Sequence, residues 1–126
     1  MKKIIQTKNA PAPVGPYNQA IIANGILYCS GQIAINPETG KLEISDIKSE
    51  TVRVMENIRA VLTEAGTNFE NVIKCTIFMS DMADYSAINE VYSRYFSNQT
   101  APAREAVEVA NLPKYVNVEI SCIATV

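Results

Sequence analysis

Two segments of this chain carry a helical period, while five or six carry a strand-like one, and that imbalance constrains the fold most. From Asp46 to Ala65, residues Val54, Met55, Ile58, Val61, Leu62 and Ala65 recur at the spacing of one helix face. Ser45 or Asp46 is placed to cap this helix, and Gly66 stands where a C′ glycine belongs. A second helix is expected from Asp84 to Ser97, with Ile88, Val91, Tyr92, Tyr95 and Phe96 on one side. Around these lie extended runs. Gln19 to Ser30 is nearly continuously apolar on both sides of Asn24-Gly25, a type I′ hairpin signal because that turn needs positive φ twice. Gly31 ends or kinks the second of these strands. Further strands are expected at Asn71–Ser80, Ala103–Val109 and Val116–Thr125. In the last, Val116, Val118, Ile120, Cys122 and Ala124 alternate with Asn117, Glu119, Ser121, Ile123 and Thr125. Two helices cannot cover both faces of such a sheet. The pattern therefore predicts an α+β layer with both helices on one face and an apolar opposite face that another copy would cover.

At 126 residues, 48% hydrophobic and 19% charged, the chain is expected to form one globular domain spanning 1–126. Asn9 to Pro16 holds three prolines and reads as a stiff extended loop. Pro37-Glu38-Thr39-Gly40 reads as a surface turn. The net charge is −2 without a basic run, which argues against nucleic-acid binding. No leader-like h-region follows Met1, and no apolar run approaches the length of a membrane span, so a cytoplasmic protein that does not bind membranes is expected. Cys29, Cys75 and Cys122 are far apart in sequence, odd in number and form no CxxC, which predicts neither a disulfide framework nor a zinc site.

The chain contains no histidine. That excludes Ser-His-Asp and Cys-His catalysis and HExxH metal sites, and leaves acid–base work to Asp, Glu, Tyr, Lys or Cys. Arg104 stands at a loop-to-strand junction beside small residues. It either clamps a ligand carboxylate or pairs at the surface with Glu105, Glu108 or Glu119. Glu119 either faces solvent by simple alternation or, if that face is buried, titrates high and activates a water. Tyr17, after Gly15-Pro16, either faces a site or anchors the loop. Asn89 sits at the edge of the second helix's apolar stripe and either reaches a site or marks a boundary. All three cysteines fall in predicted strands, where burial is the expected role.

Taken together, Gly15-Pro16-Tyr17-Asn18-Gln19-Ala20, Ser30-Gly31-Gln32-Ile33, Asn89-Glu90-Val91-Tyr92, Pro102-Ala103-Arg104 and Val118-Glu119-Ile120 resemble, in order, the blocks of the reactive intermediate deaminase A (RidA, YjgF-type) family. The resemblance implies a chorismate-mutase-like fold, one mixed sheet with two helices on one face, assembled as a homotrimer with clefts between subunits. It implies hydrolysis of 2-imino acids such as 2-iminopropanoate and 2-iminobutanoate, and their enamine tautomers, to 2-oxo acids and ammonia, without cofactor or metal. Carried over by position, Arg104 would clamp the carboxylate, Glu119 would activate water, and Tyr17 would close the cleft. Ser30, Gly31 and Asn89 would shape the substrate site. Many members continue Arg-Ser-Cys where this chain has Arg104-Glu105-Ala106. Ala106 would supply a backbone N–H there but no thiol, and alternation turns Glu105 away from Arg104. The same resemblance leaves a non-catalytic 2-oxo acid-binding regulatory trimer as the alternative. A ribonuclease role is disfavoured by the acidic charge balance and the absent histidine.

Overall fold

Asn24 and Gly25 both adopt positive φ, 52° and 75°, the backbone a type I′ turn demands. The turn joins β2 (Ala20–Ala23) to β3 (Ile26–Gln32), and β1 (Lys3–Ile5) adds to the outer edge of β2. The structure, a computed structural model, describes residues 1–126. The chain continues through α1 (Ile47–Glu64), β4 (Val72–Met79), α2 (Tyr85–Tyr92), β5 (Ala103–Glu108) and β6 (Val118–Thr125). The strands form one sheet in the order β1-β2-β3-β6-β4-β5, with β4 and β5 parallel and every other pair antiparallel. This is the expected α+β architecture with a mixed sheet.

The first helix ends where its residues end it. Asp46 accepts a hydrogen bond from the Ser49 N–H at 2.8 Å, and Gly66 leaves the helix at φ 79°. The second helical stretch is shorter than its periodicity predicts. Only Tyr85–Tyr92 is α-helical, flanked by 3₁₀ turns at Met82–Asp84 and Ser93–Tyr95. The last turn tightens where Tyr95 packs against Phe69, with ring centroids 5.1 Å apart, and Phe96 meets Phe69 edge-on at 5.4 Å.

The last strand starts at Val118 rather than Val116, and the reason is Glu50 on α1. Its fully buried carboxylate accepts from the Asn117 N–H (2.8 Å), the Asn117 side-chain amide (2.8 Å) and the Val118 N–H (3.2 Å). Those donors are thereby satisfied by a helix instead of by a neighbouring strand, and the buried carboxyl group is itself satisfied by three hydrogen bonds.

Residues alternate across the sheet except at two register shifts, between Cys29 and Gln32 on β3 and between Val72 and Lys74 on β4. Leu27, Cys29, Val72, Cys75, Ile77, Met79, Val118, Ile120, Cys122 and Ala124 are buried, forming one core with Val54, Met55, Ile58, Val61 and Leu62 of α1. Within it Cys29, Cys122 and Cys75 stand side by side on β3, β6 and β4, a row that their sequence spacing conceals. All three remain free thiols. Burial pushes the Cys75 thiol up to about 12, which removes it as a nucleophile at neutral pH. On the opposite face, Ile4, Ile21, Tyr28 and Ile123 line up across β1, β2, β3 and β6. Ile4 and Tyr28 are about half exposed. The predicted uncovered apolar face is present. No helix is long and apolar enough to cross a membrane.

Candidate functional site

The expected site residues form two groups. The first is built around a β-bulge. Between Cys29 and Gln32 the β3–β6 register shifts, so Ser30 and Gly31 together face one residue of β6. The bulge pushes Gly31 against Glu119. A β-carbon at position 31 would lie 2.8 Å from the Glu119 carboxyl carbon, so a larger residue there would displace the Glu119 side chain. Glu119 is half-buried, and that burial alone raises its carboxyl above the usual glutamate range.

Ser30 ties this bulge to the N-terminal loop. Its N–H donates to the Gln19 carbonyl (2.9 Å) and its hydroxyl to the Asn18 carbonyl (2.6 Å). The buried Gln19 side chain pins the proline-rich loop. Its amide nitrogen donates to the carbonyls of Thr7, Ala10 and Pro11 at 2.9–3.2 Å, and its oxygen accepts from the Thr7 N–H at 2.7 Å. Gly15, at φ 119°, then turns the chain so that Tyr17 hangs over the bulge with half its surface exposed. Tyr17, Ser30, Gly31 and Glu119 line one cleft of about 470 Å³. Lys114 lies on its rim, on consecutive left-handed residues, Lys114 and Tyr115, both at φ 54°. Non-glycine residues held there cost about 1–3 kcal/mol each and concentrate at functional sites.

The second group centres on Arg104. Its Nη1 donates to Asn89 Oδ1 (2.6 Å) and its Nη2 to the Tyr85 hydroxyl (2.6 Å). The guanidinium also lies over the Tyr92 ring at 5.0 Å and the Tyr85 ring at 5.6 Å. None of the ion pairs in the chain involves it. The three carboxylates that could have taken it as a surface partner are otherwise placed. Glu105 points to the other face, where it accepts from Thr76 and pairs with Lys74 at 3.1 Å, contacts that lower its carboxyl below the usual range. Glu108 accepts from the Met82 N–H at 2.7 Å, and Glu119 faces the first cleft. A cleft of about 400 Å³ beside Arg104 is lined by Asn89, Tyr92, Ala101 and Pro102.

The two groups do not meet within one chain. Arg104 is in register with Cys75 of β4, whose side chain faces the helices. Glu119 is in register with Phe78 of β4, on the opposite face. Ala106 lies opposite Ile77 and packs half-buried against the core, in the lining of neither cleft. Tyr85, Lys114, Gln19 and Glu50 were not singled out from the sequence. Tyr85 carried a usable signal, since it precedes Asn89 by one helical turn on the same face. No cluster of cysteine and carboxylate side chains is grouped as a metal site requires.

The sequence profile of the endoribonuclease L-PSP family matches residues 7–126. A crystal structure of a Rid-family protein, YyfA from Yersinia pestis, superposes with a TM-score of 0.97 at 51% identity, covering 100% of both chains. Reactive Intermediate Deaminase A of Arabidopsis thaliana, a chloroplastic protein, is 40% identical over 124 residues, which cover 98% of this chain and 66% of that one. E. coli TdcF, solved with bound serine, superposes with a TM-score of 0.92 at 39% identity, covering 98% of each chain.

Proposed function

The chain belongs to the endoribonuclease L-PSP family, which includes the Rid proteins, and from that premise we propose that it hydrolyses small 2-imino acids and their enamine tautomers to 2-oxo acids and ammonia. The observation that carries this reading is Arg104. A half-buried guanidinium held only by a neutral amide, a phenol and two aromatic faces is positioned yet still uncompensated in charge. A planar carboxylate is the ligand that such a fork accepts best. The relative solved with serine carries a ligand of that class, an amino acid with an α-carboxylate.

In the proposed reaction the substrate carboxylate sits on Arg104 and its C=N carbon faces a water held by Glu119. Glu119 takes a proton from the water as its oxygen bonds to C2. The C=N π electrons move to nitrogen, which receives that proton. In the resulting carbinolamine Glu119 takes the hydroxyl proton and passes it to the amine nitrogen as the C–N bond breaks, releasing ammonia and forming the C=O of the 2-oxo acid. An imine carbon is already electrophilic, so orientation plus one carboxylate replaces the absent imidazole. The raised Glu119 carboxyl suits a group that must both take and return a proton. Gly31 leaves room for the Glu119 carboxylate against the bulge, Tyr17 closes over the ligand, Ser30 and Asn89 hold the two walls, and Ala106 offers a backbone N–H. None of these steps draws on a metal or cofactor.

Because Arg104 and Glu119 face opposite ways in one chain, the reading requires a second copy to bring its Arg104 half to the first copy's Glu119 half. The apolar face of Ile4, Ile21, Tyr28 and Ile123 favours such an assembly, and a closed homotrimer repeats the contact three times. The substrates are free small molecules in the cytoplasm, not nucleic acid or membrane. In the test, an amino-acid dehydratase or oxidase generates 2-iminopropanoate in situ and ammonia release is followed with and without the protein. Accelerated release is expected, and equal rates would overturn the proposal. Titration calorimetry with 2-oxobutanoate beside that assay separates catalysis from the rival reading, a trimer that binds 2-oxo acids without turnover.

A further inference from the structure

Arginine carries only donors, so the contact between Arg104 Nη2 and the Tyr85 oxygen, at 2.6 Å, fixes the direction of that hydrogen bond. Tyr85 accepts. Its own hydroxyl proton then has no acceptor in the chain, whereas Tyr95 gives its proton to Glu56 at 2.7 Å. The guanidinium repels this proton, which therefore turns outward, away from the positive charge. Tyr85 opens α2 and is held there by ring contact with the same guanidinium. Tyr85, Asn89 and Tyr92 recur on one face of that helix, so the phenol, the amide and the ring that surround Arg104 come from a single rigid element.

We propose that the Tyr85 hydroxyl is a substrate-binding group: it holds the Arg104 fork by accepting from Nη2 and donates its own proton to the carboxylate bound there. The carboxylate receives a neutral donor beside the charged fork, and it takes the place of solvent on the phenol proton of the partly exposed Tyr85. The proposal rests on the reading of Arg104 as a carboxylate clamp, and its test is a binding measurement that does not need turnover.

Tyr85→Phe keeps the ring under the guanidinium and removes only the oxygen. It is expected to raise the Kd for 2-oxobutanoate and the KM for the imine about tenfold, within the range for a hydrogen bond to a charged group. kcat and thermal midpoint should stay near wild type. A second substitution separates a donor from a mere holder of Arg104. With 3-fluorotyrosine at position 85, assayed below its phenol pKa, the hydroxyl becomes a stronger donor and a weaker acceptor. Tighter 2-oxobutanoate binding supports the proposal. Weaker or unchanged binding overturns it, as does wild-type affinity in Tyr85→Phe or a fall in kcat at constant KM. Wild-type protein that binds 2-oxobutanoate but releases no ammonia removes the reaction and leaves this clamp standing.

Discussion

Arg104→Ala is expected to abolish accelerated ammonia release and to leave 2-oxo acid binding undetectable at millimolar ligand. The arginine is the only uncompensated cation among Asn89, Tyr85 and Tyr92, and all of those partners are neutral. Removing it leaves a desolvated ligand carboxylate without its counter-charge, a loss of about 3–5 kcal/mol. That corresponds to roughly two to four decades in affinity. The fold should survive, because Arg104 lies on the edge strand β5 and its side chain is only half-buried. Calorimetric titration and the ammonia assay on the same preparation, with a thermal melt as the control for folding, measure all three expectations. Arg104→Lys should fall between the two proteins. One ammonium cannot bond Asn89, Tyr85 and both carboxylate oxygens in the same planar geometry.

Glu119→Gln is expected to do the opposite to binding. The amide keeps the shape that packs against Gly31 but cannot take a proton from water. Turnover should fall about 10²–10⁴-fold, the usual contribution of a positioned general base, while 2-oxobutanoate still binds. Burial raises the Glu119 carboxyl, and the base works only when ionised, so the acid limb of kcat in the wild-type protein should lie above the ordinary glutamate value of 4.5. The limb should vanish in Glu119→Gln. The stability effect has a definite sign. Between the ordinary and the raised values, the folded chain keeps a proton that the unfolded chain has lost. Glu119 therefore disfavours folding increasingly as pH rises through that window. Glu119→Gln should be slightly more stable than wild type at neutral pH, a small effect because the group is half-exposed.

Local chemistry was legible in the sequence because each signal acts on its own neighbours. Asn24-Gly25 made its turn, and Asp46 and Gly66 bounded α1, because capping and positive φ are decided within a few residues. Asn89 and Arg104 are each open to a bland reading in the sequence, and the structure brings them into a mutual hydrogen bond while giving Arg104 no carboxylate partner. Features that depend on register between distant strands were not legible. Alternation shows that Arg104 and Glu105 face opposite ways, but not that β4 sits between β5 and β6 with Cys75 beside Arg104 and Phe78 beside Glu119. The division of the site follows from that placement. The bulge at Ser30-Gly31 shows only as a glycine near a strand end, and its consequence, contact with Glu119, joins residues far apart in sequence. Glu50 reads as an ordinary acidic residue in a helix's first turn until the chain brings Asn117 and Val118 to it. That contact also explains why alternation beginning at Val116 overstates β6 by two residues.

The central claim is that the working site joins the Arg104 half of one copy to the Glu119 half of another. Arg104→Ala and Glu119→Gln chains, each inactive alone, are unfolded together, refolded as a mixture and assayed for ammonia release from 2-iminopropanoate. Random mixing of equal amounts gives an interface with both intact residues in about one case in four, so about a quarter of wild-type activity should return. A mixture as inactive as its two components would contradict the account.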